Sequence, residues 1–205
     1  LKILKHKGLN ESELREALER FIHEAEAAAS IKHDNVVNII NYGLAEEEQI
    51  PYIMMELLEG RSLKKLIDVD HPYSYKEKAQ IILQAADALV AIHSHGILHR
   101  DIKPDNIIID SDLNVKITDF GIARLPNSHL TPTPKIMGAP VYLSPEGFTK
   151  QKKDNRSDIF ALGTVSYEFL VGRRPFIADS VAQYAVVIRQ DRPPEPRKIK
   201  PDFPQ

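Results

Sequence analysis

Apolar side chains recur at helical spacing in two long stretches. Asn10 followed by Glu13 makes a capping-box start, and Leu14, Leu18, Phe21, Ala25 and Ala28 follow on one face. At 100° per residue these five fall within a sector of about 80°. Glu24 lies about 80° from the centre of that stripe, at its flank, whereas Glu26 lies about 120° away and faces water. Glu24 is therefore the acid able to reach beneath the helix; the competing expectation is one more solvated carboxylate on an acidic surface. Ser74 with Glu77 opens a second helix, with Ile81, Ala85, Leu89 and Ile92 as its apolar positions and Gly96 as its stop. A third helix is predicted from about Ser157 to Val171, ended by Gly172, and a fourth begins near Asp179 or Ser180.

Shorter apolar runs predict strands. Leu1-Lys2-Ile3-Leu4 fits a brief one, and Val36 to Tyr42 and Ile50 to Leu58 flank the acidic turn Glu46-Glu47-Glu48 before Gly60 breaks the pattern. Ile107 to Ile109 and Val115 to Ile117, separated by Asp110 to Asn114, form a hairpin. From Gly121 to Pro145 the chain is rich in Pro, Ser and Thr, a loop signature. Asp191 to Gln205 carries five of the 14 prolines and no helical period. Three strands and one helix in residues 1–58, followed by mainly helical sequence over 59–205, predict an α+β fold: a small β-rich lobe joined to a larger helical one.

Composition narrows the function. Lys+Arg number 27 against 29 Asp+Glu, a net charge of −2, which argues against a dedicated nucleic-acid binder. With no cysteine there is no disulfide, thiolate metal site or thiol nucleophile. No apolar run approaches the roughly 18 residues of a membrane span; the nearest, Ile159 to Gly172, contains Glu168. No signal-peptide pattern is present, so a cytoplasmic setting is expected, including that of a cytoplasmic part of an anchored protein. Leu1 at the start and the proline-rich end suggest a piece of something longer.

The chemistry concentrates in His99-Arg100-Asp101-Ile102-Lys103-Pro104-Asp105-Asn106, with Asp119-Phe120-Gly121 beyond the hairpin. Asp and Asn are hard oxygen ligands suited to Mg²⁺ on a polyphosphate. A nearby lysine neutralises charge on a transferred group, and an acid such as Asp101 deprotonates a hydroxyl nucleophile. Polar turn residues are common, but six defined residues of this octet match by chance in only about one in 10⁷ to 10⁸ positions. His93, His95 and His99 invite a zinc reading; the HxH pair closing a helix without any cysteine favours a structural role.

These motifs resemble the protein kinase superfamily, over essentially the whole chain. The octet looks like the catalytic loop, Asp119-Phe120-Gly121 like the metal-binding element, and Ser144-Pro145-Glu146 like the end of the activation segment. Ser157-Asp158 resembles the start of the buried helix whose acid holds the catalytic-loop backbone. The wording of Ile117 to Arg124 and Tyr142 to Glu146 looks most like bacterial serine/threonine kinases. The resemblance implies that Asp101 accepts the substrate hydroxyl proton, Lys103 stabilises the γ-phosphate of ATP, and Asn106 and Asp119 bind Mg²⁺. It implies that Lys2 holds the α/β-phosphates through an ion pair with Glu24. Met55 would be the gatekeeper, with the backbone of Glu56 and Leu58 facing adenine. Lys103 two residues after Asp101 is the Ser/Thr-kinase form, so protein Ser/Thr hydroxyls are the implied substrates, with a transient homodimer for autophosphorylation. Arg100 would pair with a phosphorylated activation-segment residue, Thr131 or Thr133, with Ser128 behind them.

Two departures stand out. The glycines lie at 8, 43, 60, 96, 121, 138, 147, 163 and 172, so neither GxGxxG nor a Walker A loop occurs in these residues. Without a Gly-rich lid, weak nucleotide affinity and an exposed sheet edge are expected of these 205 residues alone. Gly138-Ala139-Pro140 stands where Ser/Thr kinases usually carry Gly-Thr. Ala139 and the absent lid suit a pseudokinase-like binding module, the alternative to a catalyst; Asp101, Asn106 and Asp119 favour turnover. A small-molecule phosphotransferase is disfavoured by the segment ending Ser144-Pro145-Glu146.

Overall fold

The computed structural model describes residues 1–3, 10–45, 50–119, 140–149 and 153–204. Helix α1 (Glu11–Ala29) starts at the expected box: the Glu13 amide donates to Asn10 Oδ1 at 2.9 Å, and Asn10 N donates to Glu13 Oε2 at 3.1 Å. Its buried face is Ala17, Phe21, Ala25 and Ala28, while Leu14 and Leu18 are only half-buried. The stripe is thus rotated toward small residues, letting the helix lie close against β2 (Ile39–Ala45) and β3 (Ile50–Met55). Glu24 is half-buried at the flank and Glu26 is exposed, as the helix geometry predicts.

β1 (Lys2–Ile3) and β2 both pair antiparallel with β3, giving the order β1-β3-β2. Lys2 lies opposite Ile53, sharing the face of that buried residue. β2 begins later than the apolar run predicts. Val36 and Val37 are buried instead beside the second sheet, where Val36 bridges to Ile117. That sheet runs β4 (Arg61–Ser62), β5 (Ile107–Ile109), β6 (Val115–Ile117), with the β5–β6 hairpin at its predicted bounds.

Helix α2 (Leu63–Asp68) is too short to show a period in the sequence. α3 (Tyr75–Ser94) carries the predicted Ser74–Glu77 box and buries Ile81, Ala85, Leu89 and Ile92. α4 (Asn155–Val171) ends at Gly172 with φ 83°, the left-handed stop that glycine favours. α5 (Val181–Gln190) is capped by Ser180. The proline-rich end, expected to be non-helical, contains one short helix, α6 (Pro196–Ile199); Pro196 opens it, where the missing N–H costs nothing. One apolar cluster runs from Phe21 and Ile53 through Val36, Ile117 and Ile81 to Val165 and Phe169, so both sheets and the helices share a core. No described helix is long and apolar enough to cross a membrane. Glu168 in α4 is buried, accepting from Tyr142 Oη at 2.6 Å and Arg174 Nε at 3.3 Å. Burial, reinforced by the Glu168 carboxylate, pushes the Tyr142 phenol well above the usual tyrosine range.

Gly60 sits at φ 152°, and a Cβ there would meet the Ile109 carbonyl oxygen at 2.5 Å. The close approach lies beside the Arg61–Ile109 pairing of β4 with β5, the first strand of the hairpin. Gly60→Ala is expected to lower stability by about 3 kcal/mol, combining a left-handed backbone with a backbone clash. Urea denaturation would show a lower midpoint with an unchanged slope.

Candidate active site

Asp158, in the first turn of α4, is 2% exposed. Its Oδ2 accepts from His99 N at 2.8 Å and contacts His93 Nε2 at 2.9 Å, while its Oδ1 accepts from Arg100 N at 2.8 Å. One carboxylate thus holds the loop that follows α3. The hold offsets local strain: Arg100 lies at φ 63° and Asp119 at φ 60°, left-handed conformations costing non-glycine residues about 1–3 kcal/mol.

His99 is fully buried, with Nε2 donating to the Thr118 carbonyl at 2.9 Å and Nδ1 accepting from Asp101 N at 3.3 Å. Both ring nitrogens match the neutral form. Burial pushes the imidazole pKa below the ordinary histidine value, against the pull of the Thr118 carbonyl and of the carboxylates of Asp158, Asp101 and Asp119. The same ring therefore feels both candidate catalytic acids. His95 Nδ1 contacts the Ala91 carbonyl at 2.8 Å, so the three histidines serve structural bonds.

Asp101 Oδ2 accepts from Lys103 Nζ at 2.9 Å and Asn106 Nδ2 at 3.1 Å; the same Asn106 nitrogen reaches the Asp101 carbonyl at 2.8 Å. Pro104–Asn106 forms a 3-10 turn between the two residues whose side chains bond the same oxygen of the acid. Thr118 N donates to the Asn106 carbonyl at 2.9 Å, which brings Asp119 alongside Asn106. Asp101, Lys103 and Asn106 are thus bonded to one another, and Asp119 follows directly on Thr118, whose amide is tied to the same Asn106.

Among the described residues no group of three or more His, Cys, Asp or Glu could hold a metal. The donors suit a magnesium–nucleotide pair instead, because Mg²⁺ commonly takes one or two protein oxygens and completes its shell with phosphate and water. With its nitrogen committed to Asp101, Asn106 offers its carbonyl oxygen, and the Asp119 carboxylate already faces a cation, Lys2.

That contact corrects one expectation. Lys2 Nζ pairs with Asp119 Oδ1 at 2.8 Å, not with Glu24; Glu24 Oε1 is met instead by Arg100 Nη1 at 3.4 Å. All four side chains are between 31% and 45% exposed, so the choice of partner is a matter of local reach between solvated charges. Glu24 does reach beneath its helix, but to a different cation.

At the end of β3, Met55 and Leu58 are half-buried against the core. Glu56 Oε1 accepts from Asn38 N at 2.7 Å and Lys116 Nζ at 2.6 Å, and Glu56 N donates to the Asn38 carbonyl at 3.0 Å. Burial opposes ionisation of Glu56, but the Lys116 and Asn38 bonds outweigh it and lower its pKa. This lock between the linker and β6 has no local sequence signal, because Asn38, Glu56 and Lys116 are far apart in the chain. A cavity of about 1030 Å³ lies near Leu58, Tyr73 and Leu113 but is lined by none of Lys2, Asp101, Asn106 or Asp119. Converging polar groups, not cavity size, mark the catalytic face. Phe120, Gly121, Ser128, Thr131, Thr133 and Ala139 lie outside the described residues.

Because His99 binds its proton less readily folded than unfolded, stability is complete above the unfolded value near 6.5 and is lost as pH falls below it. Denaturation midpoints measured from pH 8 to pH 5 should therefore decline. His99→Phe, less stable at pH 8, should show a flatter slope.

The family model described as protein kinase domain matches residues 1–204. The chain is 41% identical over 206 aligned residues to serine/threonine-protein kinase PrkC of Bacillus subtilis, covering 100% of this chain and 31% of that protein. It is 40% identical over 190 residues to a probable serine/threonine-protein kinase PknB of Lactococcus lactis, covering 92% of this chain and 30% of that protein. Serine/threonine-protein kinase PknB of Mycolicibacterium smegmatis is 40% identical over 185 residues, covering 87% of this chain and 30% of that protein. The chain therefore spans under a third of the length of each of these three relatives. With residues 1–204 matched by the domain model and relatives about 40% identical over most of the chain, the chain belongs to the protein kinase family.

Proposed function

We propose that this chain is the catalytic part of an ATP-dependent protein serine/threonine kinase. Residues 1–58 belong to its small lobe and 59–205 to its large one. The observation that carries this reading is the bonding of Asp101 by Lys103 and Asn106, with Asn106 tied through its carbonyl to Thr118, the residue before Asp119. Asp101 orients the substrate hydroxyl and takes its proton. Lys103, already against Asp101, neutralises charge on the phosphoryl group being transferred. Asn106 and Asp119 would hold Mg²⁺, which when bound supplies charge neutralisation on the β- and γ-phosphate oxygens. Lys2 is close enough to Asp119 to take up the α/β-phosphates, with Glu24 as its partner once Arg100 lets go. Met55 borders the adenine site, and the backbone of Glu56 and Leu58 would bond the base. A cytoplasmic setting, including that of the cytoplasmic part of an anchored protein, fits this reading, and autophosphorylation would use a transient homodimer.

Arg100 gives the reading its regulation. A phosphate on Thr131 or Thr133 would offer the guanidinium a doubly charged, bidentate partner in place of one carboxylate oxygen at 3.4 Å. Glu24 is then released to Lys2.

Transfer of labelled γ-phosphate to serine or threonine is expected from the full-length protein. Asp101→Asn should lower kcat by about 10²–10⁴-fold, and Asp119→Asn should abolish the Mg²⁺ dependence of nucleotide binding; wild-type protein with no transfer above the Asp101→Asn level overturns the reading. After incubation with Mg-ATP, phosphopeptide mapping should find phosphate on Thr131 or Thr133; phosphate only elsewhere sinks the regulatory part.

A further inference from the structure

β6 is an edge strand, yet its outer edge carries no unpaired run of backbone groups. The Leu113 carbonyl accepts from Gln84 Nε2 at 2.9 Å, and Val115 N donates to Gln84 Oε1 at 3.0 Å. The Val115 carbonyl accepts from Asn35 Nδ2 at 2.9 Å. Beyond it, Ile117 N donates to the Asn35 carbonyl at 2.8 Å, and the Ile117 carbonyl accepts from Val37 N at 3.0 Å. Asn35 Nδ2 also donates to Gln84 Oε1 at 2.9 Å, which joins the two amides. Two side chains and a short piece of backbone thus stand in for a neighbouring strand, ending one residue before Thr118.

β6 leads through Thr118 directly into Asp119, the candidate metal-binding acid. Thr118 N is held by the Asn106 carbonyl and its own carbonyl by His99, after which Asp119 turns left-handed at φ 60°. A residue in that conformation persists only where its surroundings over-determine it. Gln84 belongs to α3, whose His93, about 13 Å further along the helix axis, contacts Asp158 and so helps to hold the Asp101 loop. One rigid helix therefore sets both the loop bearing Asp101 and the strand bearing Asp119.

We propose that Gln84 and Asn35 are positioning residues for the Asp119 carboxylate: through the outer edge of β6 they set the register at which Asp119 meets Asn106 and thereby the affinity for the metal–nucleotide pair. The inference rests on the kinase reading of the site. It assigns a role to residues that touch neither substrate nor metal, and it separates the two acids. Loss of the clamp loosens Asp119, while Asp101 keeps its hold from Asp158, Lys103 and Asn106.

The test compares full-length wild type with Gln84→Leu, Gln84→Glu and Phe176→Leu. The last relaxes the stack of Phe160 on Phe176, where the centroids are 6.4 Å apart, and serves as a purely structural control. Two readouts are taken: backbone hydrogen exchange without nucleotide, and calorimetric affinity for a non-hydrolysable ATP analogue with and without Mg²⁺. Gln84→Leu should speed exchange at Val115, Ile117 and Thr118 but not at His99 and Arg100. It should also cut the Mg²⁺-dependent gain in affinity by about tenfold, as loss of an outer support does at metal sites. Gln84→Glu keeps the acceptor facing Asn35 and Val115 and should fall between. The proposal is overturned if Gln84→Leu retains the wild-type gain, or if Phe176→Leu loses as much. A wild-type protein with no Mg²⁺-dependent gain overturns the kinase reading and this inference together, whereas unchanged exchange at β6 in Gln84→Leu overturns this inference alone.

Discussion

Three donors from two segments converge on the buried carboxylate of Asp158: the amides of His99 and Arg100 and the ring of His93. A buried acid is costly unless its oxygens are satisfied, and buried amides are costly unless they find acceptors. Here each resolves the other's cost. The bonds hold Arg100 in a left-handed conformation it would not keep alone, which orients Asp101 toward Lys103 and Asn106. His99, sealed beneath and bonded to Thr118, carries the same constraint across to the residue that precedes Asp119.

The charged groups around that frame are of a different kind. Lys2, Glu24, Arg100 and Asp119 form two opposite-charge pairs whose side chains are between 31% and 45% exposed. Pairs this open are worth about 0–1 kcal/mol, far less than the buried bonds at Asp158. The four charges can therefore change partners without disturbing the loops that carry them. A rigid, desolvated frame holds the acid and amide, and a solvated set of charges lies above it. That contrast is what a site needs if its catalytic geometry is to persist while its charge pairing responds to nucleotide or phosphate.

Much of the fold was legible along the chain because its signals are local. The two capping boxes at Asn10 and Ser74, the stop at Gly172, and the hairpin of Ile107–Ile109 with Val115–Ile117 all follow from residues within a few positions of one another. The misses have physical causes. Six residues at Leu63–Asp68 and four at Pro196–Ile199 are too few to display a period. Val36 and Val37 are apolar enough for a strand but were claimed by β6 across the core. The α1 stripe shifted toward Ala17 because close packing on a sheet selects small side chains, which a hydrophobic count undervalues.

For the site, the residue types and spacing of the His99–Asn106 segment and of Asp119 by themselves pointed to the cation-and-polyphosphate chemistry proposed above, since Asp and Asn are hard oxygen ligands and a lysine offsets phosphate charge. The apolar spacing from Leu14 to Ala28 likewise determined that Glu24 would lie at the flank of its helix, because helical geometry is local. Only the tertiary structure decided which cation Glu24 meets and which acid Lys2 meets, that Glu56 is tied to Lys116, and that Gln84 and Asn35 complete the edge of β6. Those choices are made between groups tens of residues apart, where partner identity depends on how loops are strained and what the core brings near, and no periodicity in a linear chain records that.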